Sequence, residues 1–142
     1  MIHSIRNAMN NDKKFKEMLR GLNSNFYHGI TTTSGIQKQM EKYTGFSLKS
    51  IFEQYLFTTQ VPIFEYYFSA DGKKFFYRYA NSVDGFNLKL NISSPLKPLA
   101  LNPTVDKWQS IPITATDFNQ SMVLELERNY YIKLVEKKEG VV

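Results

Sequence analysis

The sequence predicts an α+β protein: an N-terminal helical segment followed by a small antiparallel β-sandwich. Three observations carry this. Apolar residues recur at helical spacing up to about residue 60 and at a period of two beyond it. Pro62 stands at the changeover and biases Val61 away from helix. Eleven Phe, nine Tyr and one Trp bring the aromatic share to 15%, and such rings pack well on a pleated face. The expected division is therefore 1–60 helical and 61–142 β. Each piece is small enough that its stability should lean on a shared interface.

The first helix, over residues 1–8, places Met1, Ile2, Ile5 and Met9 on one face and has no capping residue in front. A start of this kind suggests a chain that begins inside a longer helix, with those four residues in an exposed apolar patch or a self-association surface. Asp12 is the expected cap of the second helix, whose stripe is Phe15, Met18, Leu19 and Leu22. In "TTTSGIQKQMEKYTG", Thr33 should cap, Ile36, Met40 and Tyr43 should be buried, and Gly45 should close the helix in a left-handed conformation. "GFSLKSIFEQYLF" is the best-specified helix. Ser47 is its expected cap, and Leu48, Ile51, Phe52, Tyr55 and Leu56 form a stripe wide enough to imply burial on more than one side.

Beyond Pro62, "IFEYYFS-ADG-KKFFYRYA" reads as a hairpin turning at Asp71-Gly72. "FNLKLNI" alternates cleanly, with Phe86, Leu88, Leu90 and Ile92 on one face. "WQSIPIT", "SMVLELE" and "NYYIKLV" are expected to supply the later strands.

Net charge is +5, and residues 1–60 hold 8 Lys/Arg against 4 Asp/Glu. The excess centres on Lys13, Lys14, Lys16 and Arg20, which reads first as a solvated helix face. Nucleic acid is not expected as a partner. Neither is a membrane, because no apolar run approaches the roughly 18 residues a span requires.

Catalytic patterns are missing from the sequence. A helical zinc site needs two His at i, i+4, whereas His3 and His28 lie in different segments and are followed by Ser4 and Gly29. Without Cys there is no thiolate nucleophile, and no GxSxG elbow surrounds a serine. Glu125 and Glu127 share a face of the expected strand, where they read as an exposed polar row rather than a glycosidase pair. Trp108 reads as a core or edge anchor, with a ligand platform as the alternative. Tyr66, Tyr67, Tyr77 and Tyr79 beside Lys73, Lys74 and Arg78 superficially resemble a nucleic-acid surface. No catalytic, cofactor-binding or metal-binding residue is assigned.

The order of the pieces resembles the closing part of the aminopeptidase N family of zinc metallopeptidases. That family shows a helix of the form "MLHMLR", a "TT" cap, "SG.DL..FF.QWL" and a "G.P" turn into a β domain. Here the matching residues are Met1-Ile2-His3-Ser4-Ile5-Arg6, Asp12, Thr32-Thr33, Thr44-Gly45-Phe46-Ser47-Leu48, Ile51-Phe52, Gln54-Tyr55-Leu56 and Val61-Pro62. "YRYANSVDGFNLKLNI" and "LNPTVDKWQSIPI" look like the family's "W.N.V.GF.MPV.V" and "PT.EWQ.I.L", so the likeness covers nearly the whole chain. Tyr55 replaces a frequent Trp, and Val61 a Gly.

The family's HExxH motif, downstream Glu ligand, GxMEN motif and catalytic Tyr lie upstream of this region, and none is present here. The resemblance thus implies a non-catalytic C-terminal piece: the end of a catalytic-domain helical lobe plus the following β-sandwich. It implies zinc in the parent enzyme but no cofactor in this chain, and the upstream catalytic domain of the same polypeptide as partner. Self-association through Met1, Ile2, Ile5 and Met9 is the second expected contact. The alternative is a free-standing interaction module binding protein, glycan or nucleic acid.

Overall fold

The computed structural model describes residues 1–27, 29–94, 98–114 and 118–139. His28 and the last three residues of "EKKEGVV" lie outside the described residues. The protein is α+β, with helices leading into sheets.

Helix α1 (Ile2–Met9) begins at Met1 without a side-chain cap and ends at Asn10 in the left-handed region, φ 49°. Ile5 is fully buried, Met1 and Met9 pack partly buried against the core, and Ile2 is 44% exposed. The expected four-residue surface therefore loses Ile5, which points inward. Helix α2 (Asp12–Asn25) is capped by Asn11, whose side chain accepts from the Lys14 N–H. Asp12 is not the cap. Its carboxylate is taken up by Arg6, at 3.0 and 2.9 Å, which fixes the α1–α2 corner. Phe15 and Met18 are buried and Leu22 is partly so, but Leu19 faces solvent at 44% exposure.

Helix α3 (Thr33–Thr44) is capped one residue earlier than expected, by Thr32, whose hydroxyl accepts from Gly35 N–H at 3.1 Å. It stops at Gly45, φ 75°, as the sequence predicts. Helix α4 (Lys49–Phe57) has Leu48 at the cap position, fully buried and offering no side-chain acceptor. Ser47 sits one residue too early for that position and reaches only Lys49 N–H, at 3.3 Å. Leu48, Ile51 and Phe52 are buried, while Leu56 and Phe57 are 49% and 72% exposed, so the apolar stripe is narrower than the sequence suggests.

Strands β1 (Ile63–Phe68) and β2 (Lys74–Ala80) form the expected hairpin, with Phe64 opposite Tyr79 and Tyr66 opposite Tyr77. Gly72 adopts φ 71° in the turn, and Ser69 N–H donates to the Lys74 carbonyl to close it. In "FNLKLNI" all four alternating residues are buried, but only β3 (Leu90–Ile92) joins a ladder, with β4 (Leu99–Leu101). The backbone upstream of β3 is engaged otherwise: Leu88 O accepts the Tyr79 hydroxyl at 2.6 Å. Strand β5 (Gln109–Pro112) pairs with β2.

"SMVLELE" is not a strand. It forms helices α5 (Gln120–Leu124) and α6 (Leu126–Asn129). Asn119 caps the first from its side chain, and Val123, Leu126 and Tyr130 bury a helical stripe at i, i+3 and i+7. This changes the topology. Helices α5 and α6 carry the chain across the sheet, so β6 (Lys133–Glu136) enters parallel to β1. The result is a four-stranded mixed sheet in the order β5-β2-β1-β6 and a two-stranded antiparallel sheet β3-β4, rather than an all-antiparallel sandwich.

One hydrophobic cluster runs through both halves, from Ile5, Met18 and Ile51 to Phe64, Phe75, Phe118 and Ile132. Its centre is aromatic: Phe64 contacts Tyr66, Phe75, Tyr77 and Tyr79 at centroid distances of 6.1 to 6.4 Å, and Phe75 meets Phe118 at 4.7 Å.

Candidate functional site

A set of buried and part-buried polar contacts joins the helical half to the β half. Its anchor is Gln54, on the inner face of α4 and fully buried. The Gln54 Nε2 donates to Gln60 O at 2.8 Å, and its Oε1 accepts from Val83 N–H at 2.7 Å. One side chain thereby fixes both the exit from α4 and the loop after β2. Burying an amide is tolerable only with such partners.

Around it, Ser50 Oγ donates to Asn87 Oδ1 at 2.7 Å, and Asn87 Nδ2 donates to Ser47 O at 3.0 Å. The Tyr55 hydroxyl donates to Tyr131 O at 2.7 Å, and burial pushes its phenol pKa well up. A second set ties down α1. Asn91 Nδ2 donates to Asn7 O and Ala8 O, Asn7 Nδ2 donates to Asn129 O at 2.7 Å, and the buried Ser4 hydroxyl accepts from Tyr131 N–H. The Asn91 bonds supply α1 with donors for carbonyls that its last turn leaves open.

Most residues singled out from the sequence fall elsewhere and do not converge; Tyr67, Arg78 and Trp108 alone meet, on the outside of the sheet. His3 is exposed, with Nε2 3.1 Å from Asn7 Nδ2. Glu125, between α5 and α6, and Glu127, on α6, are both exposed, and Glu127 accepts from Leu134 N–H of β6. Lys13, Lys14, Lys16 and Arg20 are all exposed along α2. Tyr66, Tyr77 and Tyr79 face the core, which removes them from any ligand surface. Among the described residues, no three His, Cys, Asp or Glu side chains gather where they could hold a metal ion. Nor is any helix among them long and apolar enough to cross a membrane.

Trp108 lies on the outward face of the four-stranded sheet. Its ring meets Tyr67 edge-on at 4.9 Å, and the Arg78 guanidinium sits 4.3 Å from its centroid. Arg78 in turn bonds Glu65 at 3.0 Å, and Lys137 reaches the other oxygen of Glu65 at 3.0 Å. Glu65 is only 6% exposed, so this cluster clamps β6 to β1 and β2 from the outside.

Beside the seam, a cleft of about 430 Å³ is bordered by Asp84, Phe86, Asn87, Asn102, Thr104 and Asp106. Its nearest seam residue, Asn87, is already committed to Ser47 and Ser50. Sequence reasoning missed Gln54, Asn87 and Asn91. Gln54 alone left a signal, as a polar residue inside the apolar stripe of its helix.

No protein-family model matches this chain, and no curated protein sequence matches it significantly.

Proposed function

We propose that this chain is the non-catalytic C-terminal part of an aminopeptidase N-like zinc metallopeptidase, an enzyme that removes N-terminal residues from peptides. In that role the helical half closes the catalytic lobe, and the β half braces it from behind. The supporting observation is the buried Gln54 junction, which lies within the "SLKSIFEQYL" stretch that carries the resemblance. Other residues of the resemblance also sit where the halves are held. Leu48, Ile51, Phe52 and Phe86 are buried beside the seam, and Pro62 is buried at the turn between them.

A brace must transmit position, and fully bonded buried polar groups do this better than apolar contact alone because they fix register as well as proximity. The zinc and its ligands belong to the upstream domain in this proposal. The test is an assay of the purified chain with fluorogenic amino-acid amides and added zinc. The expected result is no turnover above buffer; sustained, chelator-sensitive turnover by the chain itself would overturn the proposal.

The outward cluster of Tyr67, Phe76, Arg78 and Trp108 favours the second reading, a free-standing interaction module. Against it, these groups are largely engaged with one another and with Glu65.

A further inference from the structure

The chain contains two Asp-Gly dipeptides, Asp71-Gly72 and Asp84-Gly85. Such a pair can cyclise, because glycine offers its amide nitrogen to the preceding carboxyl group with no side chain in the way. Both pairs are exposed, and both glycines have positive φ, 71° and 75°. Neither glycine has an atom within 4 Å of where a Cβ would stand, so crowding does not separate the two pairs. Hydrogen bonding does. The Asp71 carboxylate accepts from the Ser69 hydroxyl at 2.6 Å and from Lys73 N–H at 3.0 Å, and Gly72 N–H donates to Ser69 O at 2.9 Å. The Ser69 bond, and after it the Lys73 bond, holds the Asp71 carboxyl below its ordinary pKa, whereas cyclisation consumes the neutral form. At the second pair, no described residue bonds the Asp84 carboxylate, and Gly85 N–H donates to none of them. That turn is closed by Phe86 N–H to Val83 O, at 3.1 Å.

We propose that Asp84 is a site of spontaneous isoaspartate formation, and that the hairpin turn protects Asp71 from the same reaction. The Gly85 nitrogen attacks Cγ of the neutral Asp84 carboxyl and forms the N–Cγ bond. Its proton and the carboxyl hydroxyl leave together as water, giving a succinimide. Water then adds back at either carbonyl. Opening at Cγ restores aspartate; opening at the α-carbonyl breaks the original peptide C–N bond and routes the main chain through the Asp84 side chain. No atom is gained or lost overall, and water is the sole co-reactant. The isomerised link adds a methylene to the main chain between Val83, whose N–H is held by Gln54, and the buried Phe86. It also frees an α-carboxylate, the group that isoaspartyl carboxyl methyltransferases esterify. This inference goes beyond the bracing role and does not depend on it.

The test ages the whole chain in warm neutral buffer, with a parallel sample in urea, and digests both with trypsin. Isoaspartate has the mass of aspartate, so the peptides are separated by chromatography and scored by enzymatic methyl transfer from S-adenosylmethionine. Deamidation of Asn81 in the same peptide as Asp84 is told apart by its gain in mass. In the folded chain, peptide 79–89 should accumulate isoaspartate at least about tenfold faster than peptide 50–73, because the bonds at Asp71 and Gly72 must open first. In urea the two rates should converge. Ser69→Ala removes one donor from Asp71 and should speed peptide 50–73 in the folded chain severalfold. Asp84→Glu should abolish the signal from peptide 79–89. Circular dichroism confirms that both variants keep the fold. The proposal is overturned by equal rates in the folded chain, by no isoaspartate at Asp84 in the folded chain, or by a difference that persists in urea.

Discussion

Gln54 occupies a place where an apolar side chain would complete the stripe of α4, and its amide instead ties the exit of that helix to the loop after β2. Replacing it with Ala leaves the Val83 N–H and the Gln60 carbonyl without this partner. An orphaned buried polar group costs about 1–3 kcal/mol. Gln54→Ala should therefore lower stability in urea by about 2 kcal/mol or more. A loss no larger than that of an exposed change such as Gln60→Ala would remove Gln54 from the centre of the seam. The sequence made the apolar neighbours of Gln54 legible through their spacing. It did not disclose the amide's partners, because Val83 is 29 residues away in the chain and only the folded topology brings it to 2.7 Å. The same holds for Asn91, which reaches back 84 residues to Asn7.

At the scale of elements, periodicity located the four N-terminal helices and the central hairpin, but cap positions shifted by a residue. "TTTS" offers three successive threonine hydroxyls, and local pattern alone cannot rank them; the entry of α3 decides for Thr32. Thr32→Ala should destabilise by about 1 kcal/mol, whereas Thr33→Ala should leave thermal stability nearly unchanged. The reverse order would restore the cap expected from the sequence. "SMVLELE" misled because Leu124 and Leu126 alternate with glutamates, while the deciding contacts come from Val123, Leu126 and Tyr130 at helical spacing. Leu124 is 53% exposed, so its apolarity carried no information about burial. Once that stretch became helical, the direction of β6 followed.

At the scale of the molecule, an aromatic core has a consequence in alkali. Burial raises the phenol pKa of Tyr55, Tyr66, Tyr77, Tyr79 and Tyr130 above the usual tyrosine value. Below that range these phenols are neutral in both folded and unfolded chains, so they add no pH dependence. As pH rises through about 10, the unfolded chain releases these protons while the folded chain holds them. Stability should therefore fall with increasing pH from about 10 upward. Phenolate absorbance should show the buried tyrosines ionising late, together with loss of fold. Ionisation of these five at the ordinary value with the fold intact would contradict this.

The α+β class and the position of the helix-to-sheet turn were readable from the change of period at Pro62. That the halves share an interface was expected from their small size. The residues that couple them were not readable, because they are long-range polar pairs and one cluster shared by Ile5, Ile51, Phe64 and Ile132. That coupling is the property a brace requires, and equilibrium unfolding in urea followed with two probes tests it most directly. Helical circular dichroism reports mainly on α1 to α4, and Trp108 fluorescence reports on the sheet. If the halves are coupled, both probes show a single transition with coincident midpoints, shifted equally by Gln54→Ala. Two separated transitions, with the sheet unaffected by that substitution, would show that the halves unfold independently and that neither braces the other.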